Sequence, residues 1–135
     1  MVSVTGTHGN VVSVQILGIS ETLLQLRLAK VQIEKGADFG VIRAGAFVEE
    51  EVKESIIGNR AEHKSVDTGH FVNDIQFSKT GNAEGQVHAP DTSYAGYVEH
   101  STRMIGGPRR HFGNTEKRTG GKVKDIIQKE INSVI

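Results

Sequence analysis

Small and apolar residues recur through the middle of the chain at the spacing of a helix. They follow one another at intervals of four, three, four and four positions: Val41, Gly45, Val48, Val52 and Ile56. These intervals place them on one side of an α-helix, where they would pack into a core. The charged run 49–54 would then cover the solvent side. We predict a helix over about 38–57, ended by Gly58 as its C′ residue.

Alternation at every second position predicts strands in two further regions. Residues 11–17 alternate and are rich in β-branched side chains, which favours a short strand. Residues 75–78 alternate as well, and a Gly81-Asn82 turn separates them from extended residues 86–89. This arrangement predicts a β-hairpin that Pro90 closes, because proline cannot continue a central strand.

The remaining segments carry weaker patterns. Residues 1–10 are rich in glycine, threonine and serine, and we expect a loose arm. Ser20 is a suitable N-cap for a helix that Gly36 would end. Paired glycines at both ends indicate a flexible loop over 104–121. An amphipathic helix closes the chain, with apolar positions at Val123, Ile126, Ile127, Ile131 and Val134.

Composition narrows the class of protein. The chain has 135 residues, 36% hydrophobic and 24% charged, as expected of one globular domain. It contains no cysteine, which excludes disulfides, a thiol nucleophile and a thiolate zinc site. Sixteen basic and sixteen acidic residues balance, which argues against nucleic acid or an anionic membrane as the main partner. The apolar stretch 11–19 is too short for a membrane span, and no signal peptide is predicted.

The tripeptide Asp67-Thr68-Gly69 has two interpretations. In aspartic proteases two such loops meet, and this chain could supply the second loop as a homodimer. However, the polar run 62–65 precedes it instead of an apolar strand, and His70 and Phe71 follow instead of small residues. Alternatively, Asp67 is an N-cap, with Val66 and Phe71 at the positions of a hydrophobic staple. The second interpretation explains more of the flanking sequence.

Other chemistry is poorly supported. The histidines are scattered and show no metal-binding pair spacing: His8, His63, His70, His88, His100 and His111. The basic segment 103–124 contains only Phe112 as an aromatic residue, so it lacks the stacking surfaces of single-strand binders. We expect a solvated loop or a protein-docking surface there, and we predict no catalytic residue, cofactor or metal site.

Two segments taken together resemble a known family. The first is Asp67-Thr68-Gly69-x-Phe71-x-Asn73-x-Ile75, and the second is Tyr94-Ala95-x-Tyr97-Val98-Glu99-x-x-Thr102. This pair is similar to the tail-completion, or head–tail connector (neck), proteins of tailed bacteriophages. The long helix, the Pro108-to-Phe112 loop and the closing helix fall in the family's order, so the resemblance runs from about Gly18 to the end. The chain departs from the family's usual pattern at three positions: it has Phe71 in place of leucine, Asp74 in place of serine and Ser101 in place of glycine.

The resemblance implies a fold and a role. The fold would be a single α+β domain over 1–135, with a small antiparallel sheet packed against the long helix and the C-terminal helix. The role would be that of a structural virion protein, made in the host cytoplasm, which joins the tail tube to the connector as a ring. Tyr94, Tyr97 and Val98 would hold a helical turn against the sheet, and Glu99 would be an exposed contact or pair with Arg103.

Charge placement suggests how subunits would meet. Acidic residues on the long helix could face basic residues of a neighbouring subunit: Glu49, Glu50 and Glu51 against Arg109 and Arg110. A head-to-tail contact of this kind closes into a ring when its rotation permits. Two alternatives stay open, an aspartic-protease-like homodimer that uses Asp67 and a generic binding module from a mobile element.

Overall fold

A four-stranded antiparallel sheet and two long helices build the domain. The structure is a computed structural model that describes residues 2–6, 12–16, 31–66, 69–104 and 106–134. Its elements, in chain order, are β1 Val2–Gly6, β2 Val12–Ile16, α1 Val31–Ile56, α2 His70–Asp74, β3 Gln76–Gly81, β4 Glu84–His88, α3 Ala95–His100 and α4 His111–Val134. The described strands pair in the order β1-β2-β4-β3. The helices α1 and α4 pack along each other and against the sheet, which confirms the predicted α+β architecture.

The predicted apolar stripe of α1 lies in the core. Val41, Val48, Val52 and Ile56 are completely buried, and Gly45 is buried with them. The stripe extends one turn further towards the N-terminus, through the buried Ala37. The helix correspondingly begins at Val31 instead of near position 38.

Close packing explains two glycines of α1. A Cβ at Gly40 would lie 2.8 Å from Cα of Ile127, so the two long helices touch through their backbones there. A Cβ at Gly45 would overlap the Phe77 ring of β3, and one at Gly85 of β4 would overlap the same ring. Phe77 is therefore held between two glycines, which fixes the hairpin on the helix.

The hairpin forms as predicted, with one difference at its turn. Val87 of β4 pairs with Phe77 of β3, and the turn residues are Asn82 and Ala83. Ala83 has a left-handed φ of 53°, which is uncommon for a residue other than glycine. The Asp38 carboxylate on α1 accepts a hydrogen bond from the Ala83 N–H at 3.1 Å and stabilises this turn.

Three sequence predictions differ from the structure. Within the expected loose arm 1–10, residues Val2–Gly6 form β1, because they pair along the whole of β2. Gly36 does not end a helix but lies buried inside α1, and the helix expected to begin after Ser20 falls outside the described residues. The expected loop 104–121 is helical from His111 onward.

The loop prediction failed because the paired glycines lie on the outer face of α4. A Cβ at Gly120 or Gly121 would meet no atom within 4 Å. The opposite face buries Phe112, Thr115 and Thr119. This burial stabilises the helix by more than the roughly 1 kcal/mol that each glycine costs in a helix interior.

Helix α2 begins later than the predicted cap. Its first residue is His70, and Gly69 occupies the N-cap position with a left-handed φ of 85°. Asp67 and Thr68, the predicted cap and its neighbour, lie outside the described residues. Phe71 therefore belongs to the first turn of α2, not to the position that a staple with Val66 requires.

Candidate functional site

The two segments that carry the family resemblance meet at Phe71. Its ring contacts Tyr94 edge-on at a centroid distance of 5.9 Å, and it lies 6.2 Å from the His111 ring and 6.4 Å from the Phe112 ring. The small and apolar residues of the two segments are buried around it: Ile75, Ala95 and Val98. The structure thus brings both segments to the N-terminus of α4.

Glu99 has a role that the sequence analysis did not anticipate. Its side chain is buried, with 2% of the residue exposed, and it does not pair with Arg103. Instead its carboxylate accepts hydrogen bonds from the backbone N–H groups of Phe112 at 3.0 Å and Gly113 at 2.8 Å. These N–H groups belong to the first turn of α4, whose positive end favours a carboxylate. Burial raises the pKa of Glu99, and the two backbone hydrogen bonds partly offset that rise.

Asp74 is a second buried carboxylate with a structural role. Its Oδ2 accepts hydrogen bonds from the Asp91 N–H and the Thr92 hydroxyl, both at 2.8 Å. Asp74 ends α2, while Asp91 and Thr92 lie between β4 and α3. The carboxylate therefore ties the end of α2 to the loop that leads into α3.

A network of polar side chains joins α1 to α4. We call it the polar junction, and its members are Ser55, Glu62, Ser65, His111, Asn114 and Arg118. Ser55 donates to Glu62 at 2.5 Å, and its oxygen lies 2.7 Å from Nδ1 of His111. Ser65 lies 2.7 Å from Nε2 of the same ring. Both nitrogens of a completely buried histidine are thus occupied by serine hydroxyls.

Arg118 and Glu62 form the charged end of the polar junction. The two guanidinium nitrogens of Arg118 each donate to a different oxygen of Glu62 at 2.8 Å, a bidentate pair. Asn114 adds a hydrogen bond at 3.0 Å. Burial opposes ionisation of Glu62, but the hydrogen bonds from Arg118, Ser55 and Asn114 together outweigh it and lower its pKa to about 2.

The hydrogen bonds assign the protons of the polar junction. Because Ser55 has one proton and donates it to Glu62, its oxygen accepts from Nδ1–H of His111. Nε2 is then an acceptor, and Ser65 donates to it. Burial lowers the pKa of His111 to about 4; Glu62 opposes this change, and the positive charges of Arg109 and Arg118 reinforce it.

The Ser65–His111 pair resembles half of a hydrolytic dyad, but its environment does not suit a general base. A catalytic histidine must accept a proton during reaction, and a carboxylate normally stabilises the cation that forms. Here Arg118 already neutralises Glu62, and two arginines disfavour the imidazolium. The polar junction therefore suits a structural role in which it joins the N-terminus of α4 to the end of α1.

Exposed rings from both segments form an aromatic surface. Tyr94 is 42% exposed and Tyr97 is 53% exposed, and the His70 ring lies 6.5 Å from Tyr94. We call these three side chains the aromatic patch. The expectation that Tyr97 packs against the sheet is wrong, whereas buried Val98 does face inward. Thr102 is exposed beyond the end of α3.

The acidic residues proposed for a subunit contact are mostly engaged within the chain. Glu49 accepts a hydrogen bond from the Phe77 N–H at 2.8 Å and from Lys53 at 3.3 Å. Glu51 pairs with Arg60. Glu50 is exposed, and no hydrogen bond or ion pair connects it to another described residue.

The two arginines proposed for the other side of that contact differ. Arg110 is exposed and has a left-handed φ of 52°, while Arg109 is half-buried. The backbone N–H of Arg109 donates to the carbonyl of Val98 at 3.0 Å, which fastens the segment before α4 to α3. Arg110 is therefore the more accessible of the two.

Comparison of the chain with models of protein families, with curated proteins and with solved structures finds no match. Within the described residues, no group of three histidine or carboxylate side chains is placed to hold a metal ion. The described helices include none with the length and apolar character needed to cross a membrane.

Proposed function

We propose that this protein is a structural virion protein of the head–tail junction of a tailed bacteriophage, where it joins the tail tube to the connector as a ring. The observation that carries the proposal is that the segment Tyr94–Thr102 has one part buried in the fold and another part exposed to solvent. Its carboxylate, Glu99, is buried at the N-terminus of α4, while Tyr94 and Tyr97 point to solvent. The segment thus combines a rigid framework with an exposed surface for a neighbouring subunit.

Physical chemistry supports the aromatic patch as a contact surface. Tyrosine is enriched in protein interfaces because it buries a large area and still offers a hydroxyl. The chain has only 5% aromatic residues, and two of them are exposed on one short helix and its N-cap. The Phe71 ring fixes Tyr94 from behind, which lowers the entropy cost of binding.

Charge pairing adds a second, smaller component to the proposed contact. Because Glu49 and Glu51 are engaged within the chain, Glu50 of one subunit and Arg110 of the next are the available pair. An exposed pair of this kind sets register more than affinity. Reversal of Glu50 to lysine should therefore slow assembly at low salt without abolishing it.

Size-exclusion chromatography with light scattering, followed by electron microscopy, tests the assembly. The protein should form a ring, alone or with the tail-tube and connector proteins of the same genome. The double variant Tyr94→Ser/Tyr97→Ser should remain monomeric. The matched control Phe39→Ser/Ile42→Ser, which alters two exposed apolar residues of α1, should assemble like the wild type.

Two results would overturn the proposal. One is a monomer at all salt and protein concentrations, alone and with those partners. The other is a tyrosine variant that assembles as well as the wild type while the control does not. Portal, capsid and tail genes beside its own would support the proposal independently of any assay.

A further inference from the structure

The outer face of α4 carries four lysines that no described residue neutralises. Lys117, Lys122, Lys124 and Lys129 are all exposed, and the ion pairs among the described residues include none of them. We call them the lysine face. Asp125 is the one acidic residue exposed between them, since Glu116 is partly buried and Glu130 pairs with Arg43. The chain as a whole is neutral, so the lysine face is a local excess of positive charge.

The lysine face has two rows. Lys117 and Lys124 form one row and Lys122 and Lys129 the other, and within each row the residues are two turns, or about 10 Å, apart. At 3.6 residues per turn the rows lie about 140° apart around the helix axis. The strip between them is exposed and carries Gly121, Gln128 and the carboxylate of Asp125. The four lysines together span about 18 Å along the axis.

We propose that the lysine face binds the phosphate backbone of double-stranded nucleic acid, with α4 lying along the major groove. That groove is about 12 Å wide and admits an α-helix. If α4 lies in the groove with the strip around Gly121 facing the groove floor, one lysine row points towards the phosphates of each strand. Lysine contacts phosphate as a point charge and reads no base, so the binding is independent of sequence.

Other occupants fit this surface less well. A single strand would need aromatic side chains for stacking, and the exposed residues of α4 include none. A membrane surface would need an apolar face beside the lysines, but the apolar face of α4 is buried against α1. A second copy would need an acidic surface large enough to face four lysines, but Glu49 and Glu51 of α1 are engaged within the chain, which leaves Glu50 alone of these three glutamates.

Fluorescence anisotropy with a labelled 30-base-pair duplex of arbitrary sequence tests this proposal, which does not depend on ring assembly. The full chain should bind at 20 mM salt and weaken as salt rises. The slope of log K against log salt should reach about −3.6 if all four lysines engage phosphates. The double variant Lys122→Gln/Lys129→Gln should lose about tenfold or more in affinity at 20 mM salt, and its slope should be shallower by about 2.

The matched control is Lys35→Gln/Lys64→Gln, which removes the same charge from two exposed lysines outside α4. It should bind the duplex within about twofold of the wild type, because only the phosphate contacts of α4 release counterions. Circular dichroism should show both variants equally helical. No binding at 20 mM salt would overturn the proposal, as would an equal loss in the control. Binding to poly-glutamate, to single-stranded DNA or to vesicles with one-third anionic lipid as tight as binding to the duplex would also overturn it.

Discussion

The buried histidine of the polar junction should make the stability of this protein depend on pH. In the unfolded chain His111 would titrate near pH 6.5, whereas in the fold burial lowers its pKa to about 4. Between these two pKa values the unfolded state binds a proton that the folded state does not bind, so the free energy of unfolding falls as pH falls. The full difference of about 2.5 pH units corresponds to roughly 3 kcal/mol, with at most about 1.4 kcal/mol lost per pH unit.

Other groups contribute in the same range, so the contribution of His111 must be isolated by difference. His88 also has a lowered pKa, mainly from burial, and its contribution has the same sign. Glu99 has a raised pKa and acts in the opposite direction, because its folded form gains stability on protonation. Urea unfolding followed by circular dichroism, at intervals from pH 7.5 to 4.5, should be measured for the wild type and for His111→Gln.

The variant will be less stable at neutral pH, because glutamine cannot reproduce both contacts to Ser55 and Ser65. The informative quantity is the difference in free energy of unfolding between the two proteins. This difference should shrink by about 2–3 kcal/mol from pH 7.5 to 4.5. The exposed His63→Gln provides the control and should run parallel to the wild type. Parallel curves for His111→Gln and the wild type would refute the reasoning, since they would mean that His111 takes up a proton in the fold as readily as in the unfolded chain.

Further predictions concern packing and capping, and urea unfolding at pH 7 measures each. Glu99→Ala should destabilise by about 1–3 kcal/mol because it leaves two backbone N–H groups of α4 without their acceptor, and Glu99→Gln should cost less because it retains one; equal losses would contradict this account. Gly45→Ala should destabilise by about 1–3 kcal/mol through overlap with the Phe77 ring, and adding Phe77→Ala should make the combined loss smaller than the sum. Gly121→Ala, with open space around it, should instead stabilise by up to about 1 kcal/mol, and a loss would show that α4 is not helical there.

Sequence periodicity predicted the elements whose side chains bury one continuous face. The stripe from Val41 to Ile56 and the alternation around Phe77 both arise because their apolar side chains pack into the same core. The helix and the hairpin can therefore be located from the sequence. The positions of the glycines predict the ends of helices less well. The sequence predicts breaks at Gly36 and Gly121, yet one lies buried inside α1 and the other on the outer face of α4.

The roles of the buried charged groups could not be predicted from the sequence. Glu62 and Arg118 are 56 positions apart, and only the packing of α4 against the end of α1 brings them together. Glu99 caps a helix that begins twelve positions later, whereas an ordinary N-cap residue lies directly before its helix. A carboxylate in a sequence has no local pattern that separates a solvated position from a long-range cap.

The N-terminus of α4 connects the two surfaces proposed here. Glu99 lies two residues from Tyr97 and accepts hydrogen bonds from the first turn of α4, so a single carboxylate fixes the helix of the aromatic patch to the helix of the lysine face. The aromatic patch and the lysine face nevertheless depend on the Glu99 carboxylate to different degrees. Helix α4 is also held by the polar junction and by its long contact with α1, whereas α3 spans only six residues. A folded Glu99→Ala variant should therefore lose ring assembly through a loosened α3 while it retains duplex binding, and the opposite pattern would mean that α4 depends on the cap more than on its core face.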